Sequence, residues 1–286
     1  MSVRYREFTF ASPEGLALFC REYAPAAPCG TVICLPGLTD NSREFAPLAR
    51  RLAVRRRVLT PDFRGRGHSQ WDDDPERYAS GVYYQDVLQL IGGHTDGRVA
   101  LIGTSLGGMV AILLASQLPE CIACVVLNDV GPEVPAAGLH RIAGYVGREP
   151  PVGSWADAAA RAKALHGAAF PDFSDDDWLG AVRAACREDD DGHIVADYDP
   201  KIGEAMRARL DEPVDLWPYW AMLERTPVLL LHAERSDILT PVIVERMRAM
   251  KPDLECLTVP RRGHAPTLVE PVVSGPLDAF LSRHLP

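Results

Sequence analysis

The chain has 286 residues, 47% of them hydrophobic and 24% charged, and a formal net charge of −9 at pH 7. This length and composition are typical of a soluble globular protein with one sizeable core. The acidic balance argues against a nucleic-acid-binding role, and no apolar run reaches the roughly 18 residues that a membrane-spanning helix needs.

The predicted elements begin with a hairpin formed by residues 6–10 and 16–23, with turn-forming residues at 13–15. After it, short apolar and β-branched runs, typical of strands buried on both faces, alternate with segments of helical period. The strands are predicted at 31–35, 57–61, 98–103 and 124–129, and the helices at 42–53, 81–91 and 105–118. This alternation predicts an α/β fold with a mostly parallel sheet flanked by helices on both faces.

The pattern changes in the middle of the chain. Residues 135–212 contain four helix-like segments with no strand-like run between them. Strand-like runs return at 227–233 and 254–260, and a last helix is predicted at about 273–284. We therefore predict a core formed by residues 1–134 and 213–286, interrupted by a helical cap at 135–212.

Cysteine content and the N-terminal stretch bear on location and cofactors. Seven scattered cysteines, an odd number, predict reduced thiols rather than a disulfide framework. Cys121 and Cys124 form a C-x-x-C pair, but neither a second pair nor a histidine at ligand spacing accompanies them. Residues 1–10 lack the apolar core of a secretory signal. We expect a cytoplasmic protein without metal or organic cofactor, and without membrane or nucleic-acid partners.

A serine stands where a predicted strand meets a predicted helix, in the sequence GTSLG at 103–107. A serine hydroxyl is a weak nucleophile, so it needs exposure and a base that accepts its proton. A sharp strand-to-helix turn provides the exposure and leaves no space for side chains two residues before and after the serine. Gly103 and Gly107 meet this requirement. We therefore predict Ser105 as a nucleophile; the alternative is a small residue in a tight packing turn.

The base that activates Ser105 is expected on a loop near the carboxyl end of the sheet. His264 follows the predicted strand at 254–260 and a glycine, and it precedes the predicted last helix. We predict His264 as this base. His68, in a glycine-rich turn, and His232, at the end of a strand, are the alternatives.

The acid that orients the histidine is expected beyond another strand end. The loop after 227–233 offers Glu234 and Asp237, and Asp237 lies just before a predicted helix start. We predict Asp237 as the acid, which gives the chain order serine, acid, histidine. Asp237 could instead serve as a carboxylate at a helix N-terminus, and Asp129, at the end of another strand, is the second candidate acid.

Acyl transfer also requires N–H donors for the developing oxyanion. The strand at 31–35 leads into Pro36 and Gly37 and then a loop, so the backbone can turn its N–H groups toward the serine. We predict the backbone N–H groups of Leu38 and Leu106 as the two donors. An ordinary strand-to-helix loop is the alternative interpretation of this stretch.

Together these motifs resemble the α/β-hydrolase fold family, specifically its single-domain members with a helical cap. The resemblance covers residues 1–134 and 213–286. The matching stretches are PGLTDNSREF (36–45), DFRGRGHS (62–69), GTSLGG (103–108), ERSDILTP (234–241) and RRGHAP (261–266). The family usually has His-Gly at the oxyanion strand end; this chain has Pro-Gly there, which changes loop geometry more than the backbone donor.

The resemblance implies a serine hydrolase that cleaves a carboxylic ester, lactone or thioester of a small apolar substrate through an acyl-enzyme. Ser105 argues against the related haloalkane dehalogenases and epoxide hydrolases, which use aspartate at this position. Two alternatives stay open: a carbon–carbon bond hydrolase of ring-cleavage diketones, and a receptor that turns over a small molecule slowly. Aromatic residues of the cap could line a pocket or form the core of the cap: Tyr145, Trp155, Phe170, Phe173 and Trp178. The oligomeric state is left open.

Overall fold

An eight-stranded sheet organises residues 5–286, the part of the chain that this computed structural model describes. Residues 1–4, which belong to the N-terminal stretch predicted to lack a secretory signal, lie outside that part. The strands, in chain order, are β1 (Tyr5–Ala11), β2 (Ala17–Tyr23), β3 (Thr31–Leu35), β4 (Arg57–Pro61), β5 (Val99–Thr104), β6 (Ile122–Asn128), β7 (Cys186–Glu188), β8 (Ile194–Ala196), β9 (Val228–Ala233) and β10 (Glu255–Val259). The order in the large sheet is β1-β2-β4-β3-β5-β6-β9-β10. In this sheet β1 pairs with β2 and β2 with β4 antiparallel, and all the other neighbouring strands pair parallel.

Helices follow most of the parallel strands, and residues 5–286 contain ten α-helices in all. They are α1 (Ala46–Leu52), α2 (Ser80–His94), α3 (Leu106–Gln117), α4 (Ala136–Ala143), α5 (Trp155–His166), α6 (Asp175–Ala185), α7 (Lys201–Ala208), α8 (Trp217–Ala221), α9 (Pro241–Met250) and α10 (Pro271–His284). α1 begins four residues later than the predicted start, because Pro47 occupies its first turn, where a missing N–H and a fixed φ cost nothing.

The core lies on both faces of the sheet. Every residue of β3, β5 and β6 is buried, as the continuous apolar runs predict. Successive β3 side chains point to opposite faces: Ile33 joins the cluster that contains Val110 of α3, and Val32 joins the cluster that contains Phe280 of α10. Each such buried side chain contributes about 1.5–3 kcal/mol. The predicted α/β architecture, with helices on both faces, is confirmed.

The segment between β6 and β9 differs from the prediction in one respect. Residues 135–212 contain α4 to α7, as predicted, but also an antiparallel pair, β7 and β8. The absence of strands predicted there was therefore wrong. Helix α6 ends at Ala185, and a turn at Gly192, with φ of +80°, reverses the chain between β7 and β8. Strands of three residues are too short to show an alternating pattern. The division into a core and a cap at these boundaries stays a prediction.

Two features of residues 5–286 concern membranes and metal ions. No helix there is both long and apolar enough to cross a membrane. In the same range, no group of three or more His, Cys, Asp or Glu side chains could hold a metal ion.

Candidate active site

Ser105 occupies the turn between β5 and α3 with a backbone conformation of φ 51° and ψ −115°. This positive φ is strained for a residue with a side chain, and such strain concentrates at functional sites. A Cβ on Gly103 would lie 2.4 Å from backbone atoms of Gly107, and a Cβ on Gly107 would lie 2.0 Å from the carbonyl oxygen of Leu35. Both glycines therefore have the steric role that the sequence predicts.

Three side chains from three loops form a continuous hydrogen-bonded chain. Nε2 of His264 lies 2.8 Å from Oγ of Ser105, and Nδ1 of His264 lies 2.9 Å from Oδ2 of Asp129. A carboxylate only accepts hydrogen bonds, so Nδ1 carries the proton, which leaves Nε2 free to accept from the serine hydroxyl. The arrangement is that of a nucleophile, a base and an orienting acid.

The carboxylate that contacts His264 is Asp129, whereas the predicted acid, Asp237, makes no such contact. Asp129 follows β6 directly, is fully buried, and also accepts from the N–H of Ala233 at 2.8 Å and the hydroxyl of Ser236 at 2.6 Å. Asp237 lies on the loop after β9 with about half of its side chain exposed (48%), and it binds Arg141 of α4. That loop supports the site through Ser236 and leaves Asp237 outside it.

The alternative histidines have other contacts. Nε2 of His232 lies 3.0 Å from the carbonyl oxygen of Leu239 and so holds the loop after β9. The ring of His68 packs on that of Phe19, with centroids 4.8 Å apart. His264 is thus the histidine that the structure brings to Ser105.

The predicted oxyanion loop lies beside the serine. Gly37, Leu38 and Ser105 line one cavity, and α3 begins at Leu106. The carbonyl of Leu38 accepts from Nε of the buried Arg66 at 2.8 Å, which holds the loop in place. Gly37 has no positive φ, so it is not needed to turn the backbone as predicted. A Cβ there would instead lie 2.4 Å from Oδ2 of Asp40.

This loop also carries a pair of carboxyl groups that the sequence analysis did not predict. Asp40 and Glu44 line the same cavity, and burial raises the pKa of both side chains. The pKa of Glu44 is raised well above its usual value of 4.5, first by burial and then by the nearby Asp40; contacts with the Thr104 hydroxyl and the Gly37 N–H oppose the shift. Glu44 therefore keeps its proton to a higher pH than an exposed glutamate does.

Asn128 connects the loops that carry the three side chains. Its amide nitrogen lies 3.2 Å from Oγ1 of Thr104, the residue before Ser105, and 2.8 Å from the carbonyl oxygen of Pro266 on the histidine loop. Because Asn128 is fully buried, these bonds are shielded from competing water.

Ser105 and His264, the first two members of this hydrogen-bonded set, line a cavity of about 840 Å³. Such a volume is in the range of small-molecule sites. Of the five aromatic residues considered in the sequence analysis, four line it: Tyr145, Phe170, Phe173 and Trp178. Trp155 instead packs in an apolar cluster with Ala158 and Val182 of α5 and α6.

Known proteins share this fold along most of its length. A sequence profile described as "Alpha/beta hydrolase family" matches residues 32–279. The chain belongs to the alpha/beta hydrolase family. The family resemblance and the fold class predicted from the sequence are thereby confirmed.

Three relatives that each match more than four-fifths of this alpha/beta hydrolase are named as hydrolases. The crystal structure of an alpha/beta hydrolase from Novosphingobium aromaticivorans is 40% identical, covers 99% of both chains and superposes with a TM-score of 0.91. The 3-hydroxybutyrate-oligomer hydrolase of Cupriavidus necator is 29% identical over 269 residues, 91% of each chain. The 2-(acetamidomethylene)succinate hydrolase of Mesorhizobium japonicum is 27% identical over 243 residues, 83% of this chain and 82% of the relative.

Proposed function

We propose that this protein is a serine hydrolase that cleaves a carboxylic ester, lactone or thioester of a small, largely apolar substrate through an acyl-enzyme. The observation that carries the proposal is the pair of hydrogen-bond distances, 2.8 Å and 2.9 Å, that joins Ser105, His264 and Asp129 at the cavity. A serine that lines a cavity, with a base in reach and a buried acid behind the base, is what acyl transfer requires.

In the proposed mechanism, Oγ of Ser105 attacks the substrate carbonyl while Nε2 of His264 accepts its proton. Asp129 stabilises the imidazolium that forms and keeps the ring in its orientation. The imidazolium then protonates the leaving alcohol or thiol, and the acyl group stays on Ser105. A water molecule, deprotonated by His264, attacks the acyl-enzyme, and the serine leaves with the returned proton.

The negative charge on the carbonyl oxygen needs donors placed in advance. We propose the backbone N–H groups of Leu38 and Leu106 for this role, since the first starts the loop beside the serine and the second opens α3. An N–H at a helix start adds the positive end of the helix dipole. Loss of one such donor costs about 3 kcal/mol in comparable enzymes.

Ester cleavage is favoured over the other reactions by the relatives. The Cupriavidus necator relative is named for hydrolysis of 3-hydroxybutyrate oligomers, and units of a hydroxy acid are joined through ester bonds. The four aromatic rings that line the cavity favour an apolar segment in the substrate.

The test is hydrolysis of a p-nitrophenyl ester series of increasing acyl length at mildly alkaline pH, with Ser105→Ala in parallel. We expect multiple turnovers by the unchanged protein and none by Ser105→Ala. The preferred acyl length indicates the length of the acyl pocket. Equal background rates in both proteins would contradict ester chemistry and move the test to ring-cleavage diketones. A single turnover followed by tight retention of the product would indicate a receptor instead.

A further inference from the structure

Four arginines line the cavity: Arg43, Arg50, Arg161 and Arg262. Two of them, Arg43 and Arg262, are paired with carboxylates of the protein. Arg43 donates to the carbonyl oxygens of Ala184 and Cys186 and pairs with Asp197 at 2.6 Å. Arg262 pairs with Asp172 and, at 3.0 Å, with Glu270. The positive charge of each is therefore already balanced by a carboxylate within the protein.

Arg161 is different. Its guanidinium donates through Nη1 to the carbonyl of Pro150, and within residues 5–286 no carboxylate forms an ion pair with it. Its side chain is partly buried, whereas Arg50 is exposed on α1. Most of the five N–H donors of Arg161 therefore remain for another acceptor.

Helix α5 directs this arginine into the cavity. Ala158, Arg161, Ala162 and Leu165 all line it, at the spacing of three, four and seven residues that places side chains on one helix face. The neighbours of Arg161 on that face are apolar. A cation in such surroundings is stabilised chiefly by a charge-assisted partner, since water is partly excluded.

Glu149, next to the Pro150 that Arg161 contacts, is hydrogen-bonded to another side chain. Glu149 also lines the cavity, but its two carboxylate oxygens lie 2.9 Å and 2.7 Å from the hydroxyl of Tyr198. It forms no ion pair with Arg161 within 4.0 Å. Among residues 5–286, no carboxylate therefore lies within ion-pair distance of Arg161.

We propose that Arg161 binds a carboxylate of the substrate, and that the preferred substrates are esters whose acid or alcohol part carries a free carboxylate. The guanidinium fork matches a carboxylate in two parallel hydrogen bonds, a geometry that a neutral ester or amide cannot reproduce. This inference rests on the proposed function for the reaction at Ser105, but it names the group that selects the substrate.

The test compares two ligands that differ only at this group, 3-acetoxybutyrate and its primary amide. Their binding to Ser105→Ala protein is measured by isothermal titration calorimetry, alone and combined with Arg161→Met. The control is Arg183→Met, which removes an exposed arginine on α6 outside the cavity lining. Acetate release by the protein with Ser105 intact is measured with both ligands.

We expect Ser105→Ala to bind the carboxylate about 10- to 100-fold more tightly than the amide, the range of a charge-assisted contact. Arg161→Met should remove this difference, Arg161→Lys should restore part of it, and Arg183→Met should leave it unchanged. Equal binding of the two ligands, or a difference that survives Arg161→Met, would overturn the proposal. Absence of acetate release from both ligands would instead count against ester hydrolysis, while the calorimetric difference still decides the role of Arg161.

Discussion

Oδ2 of Asp129 lies 2.9 Å from Nδ1 of His264, a residue 135 positions later in the chain. Strand β6, which ends one residue before Asp129, lies next to β5, which ends one residue before Ser105. Asp129 therefore lies on the same edge of the sheet as Ser105, where His264 contacts both. Asp129 therefore approaches His264 from the strand next to the one that leads to Ser105.

Asp129→Asn should lower kcat/KM on a p-nitrophenyl ester by about 10⁴-fold, because an amide at this position favours the wrong tautomer of the histidine. The matched control is Asp237→Asn, which should stay within a few-fold of the unchanged protein, since Asp237 binds Arg141 outside the site. Steady-state kinetics measure both. A large loss in Asp237→Asn with little loss in Asp129→Asn would reverse the assignment of the acid.

Gly107→Ala should lower the free energy of unfolding by about 1–3 kcal/mol and reduce activity strongly, because its Cβ would meet backbone rather than a movable side chain. Gly92→Ala, in α2 with nothing within 4 Å, should instead stabilise the protein by about 0.5–1 kcal/mol. Urea unfolding and ester kinetics give the two readouts. An active Gly107→Ala of unchanged stability would show that the turn is less tightly packed than described.

Glu44→Gln should change how stability depends on pH. The raised pKa means that folded Glu44 holds its proton between pH 4.5 and its higher folded value, where the unfolded chain has lost it. The free energy of unfolding therefore falls as pH rises through this interval, by at most about 1.4 kcal/mol per pH unit. Glu44→Gln, which mimics the protonated form, should reduce that fall.

Urea unfolding at a series of pH values measures this effect, with Glu245→Gln on the exposed face of α9 as the control. The control should keep the pH dependence of the unchanged protein. If Glu44→Gln also keeps the pH dependence of the unchanged protein, folding does not raise the pKa of Glu44.

Gly263→Ala should lower kcat/KM by about 10- to 100-fold, because its Cβ would lie 2.5 Å from Cβ and 3.0 Å from Cα of Ala169 and would displace the loop of His264. The N–H of Gly263 also donates to the carbonyl of Ala169 at 2.8 Å, so this contact fixes the loop against the 135–212 segment. Gly153→Ala, with nothing within 4 Å, is the control and should retain activity. Full activity in Gly263→Ala would show that the contact does not position the histidine.

Local patterns were sufficient to predict the residues whose surroundings are close in sequence. Ser105 follows from glycines two positions away, and His264 from a strand, a glycine and a helix in succession. Local patterns could not show which aspartate contacts His264, because both Asp129 and Asp237 follow strand ends. Choosing between them requires knowing which strand lies next to β5 and that Ser236, one residue before Asp237, turns toward the site.

The carboxyl pair and the arginine of the cavity depend on contacts that are distant in sequence. The loop that carries Asp40 and Glu44 is held against α6 by Asn41, whose amide donates to the carbonyl of Ala184, 143 positions away. No short-range pattern encodes that burial. Likewise, Arg161 is distinguished from the other cavity arginines only once their ion-pair partners and their exposure are known.

The central claim is that Ser105 is a nucleophile activated by His264 and Asp129. Mass spectrometry of the intact protein after treatment with phenylmethanesulfonyl fluoride, followed by peptide mapping, tests it most directly. The account predicts a single sulfonyl adduct on Ser105, absent in Ser105→Ala and formed far more slowly in His264→Ala and Asp129→Asn. An adduct on another residue, or unchanged labelling of Ser105 in His264→Ala, would contradict it.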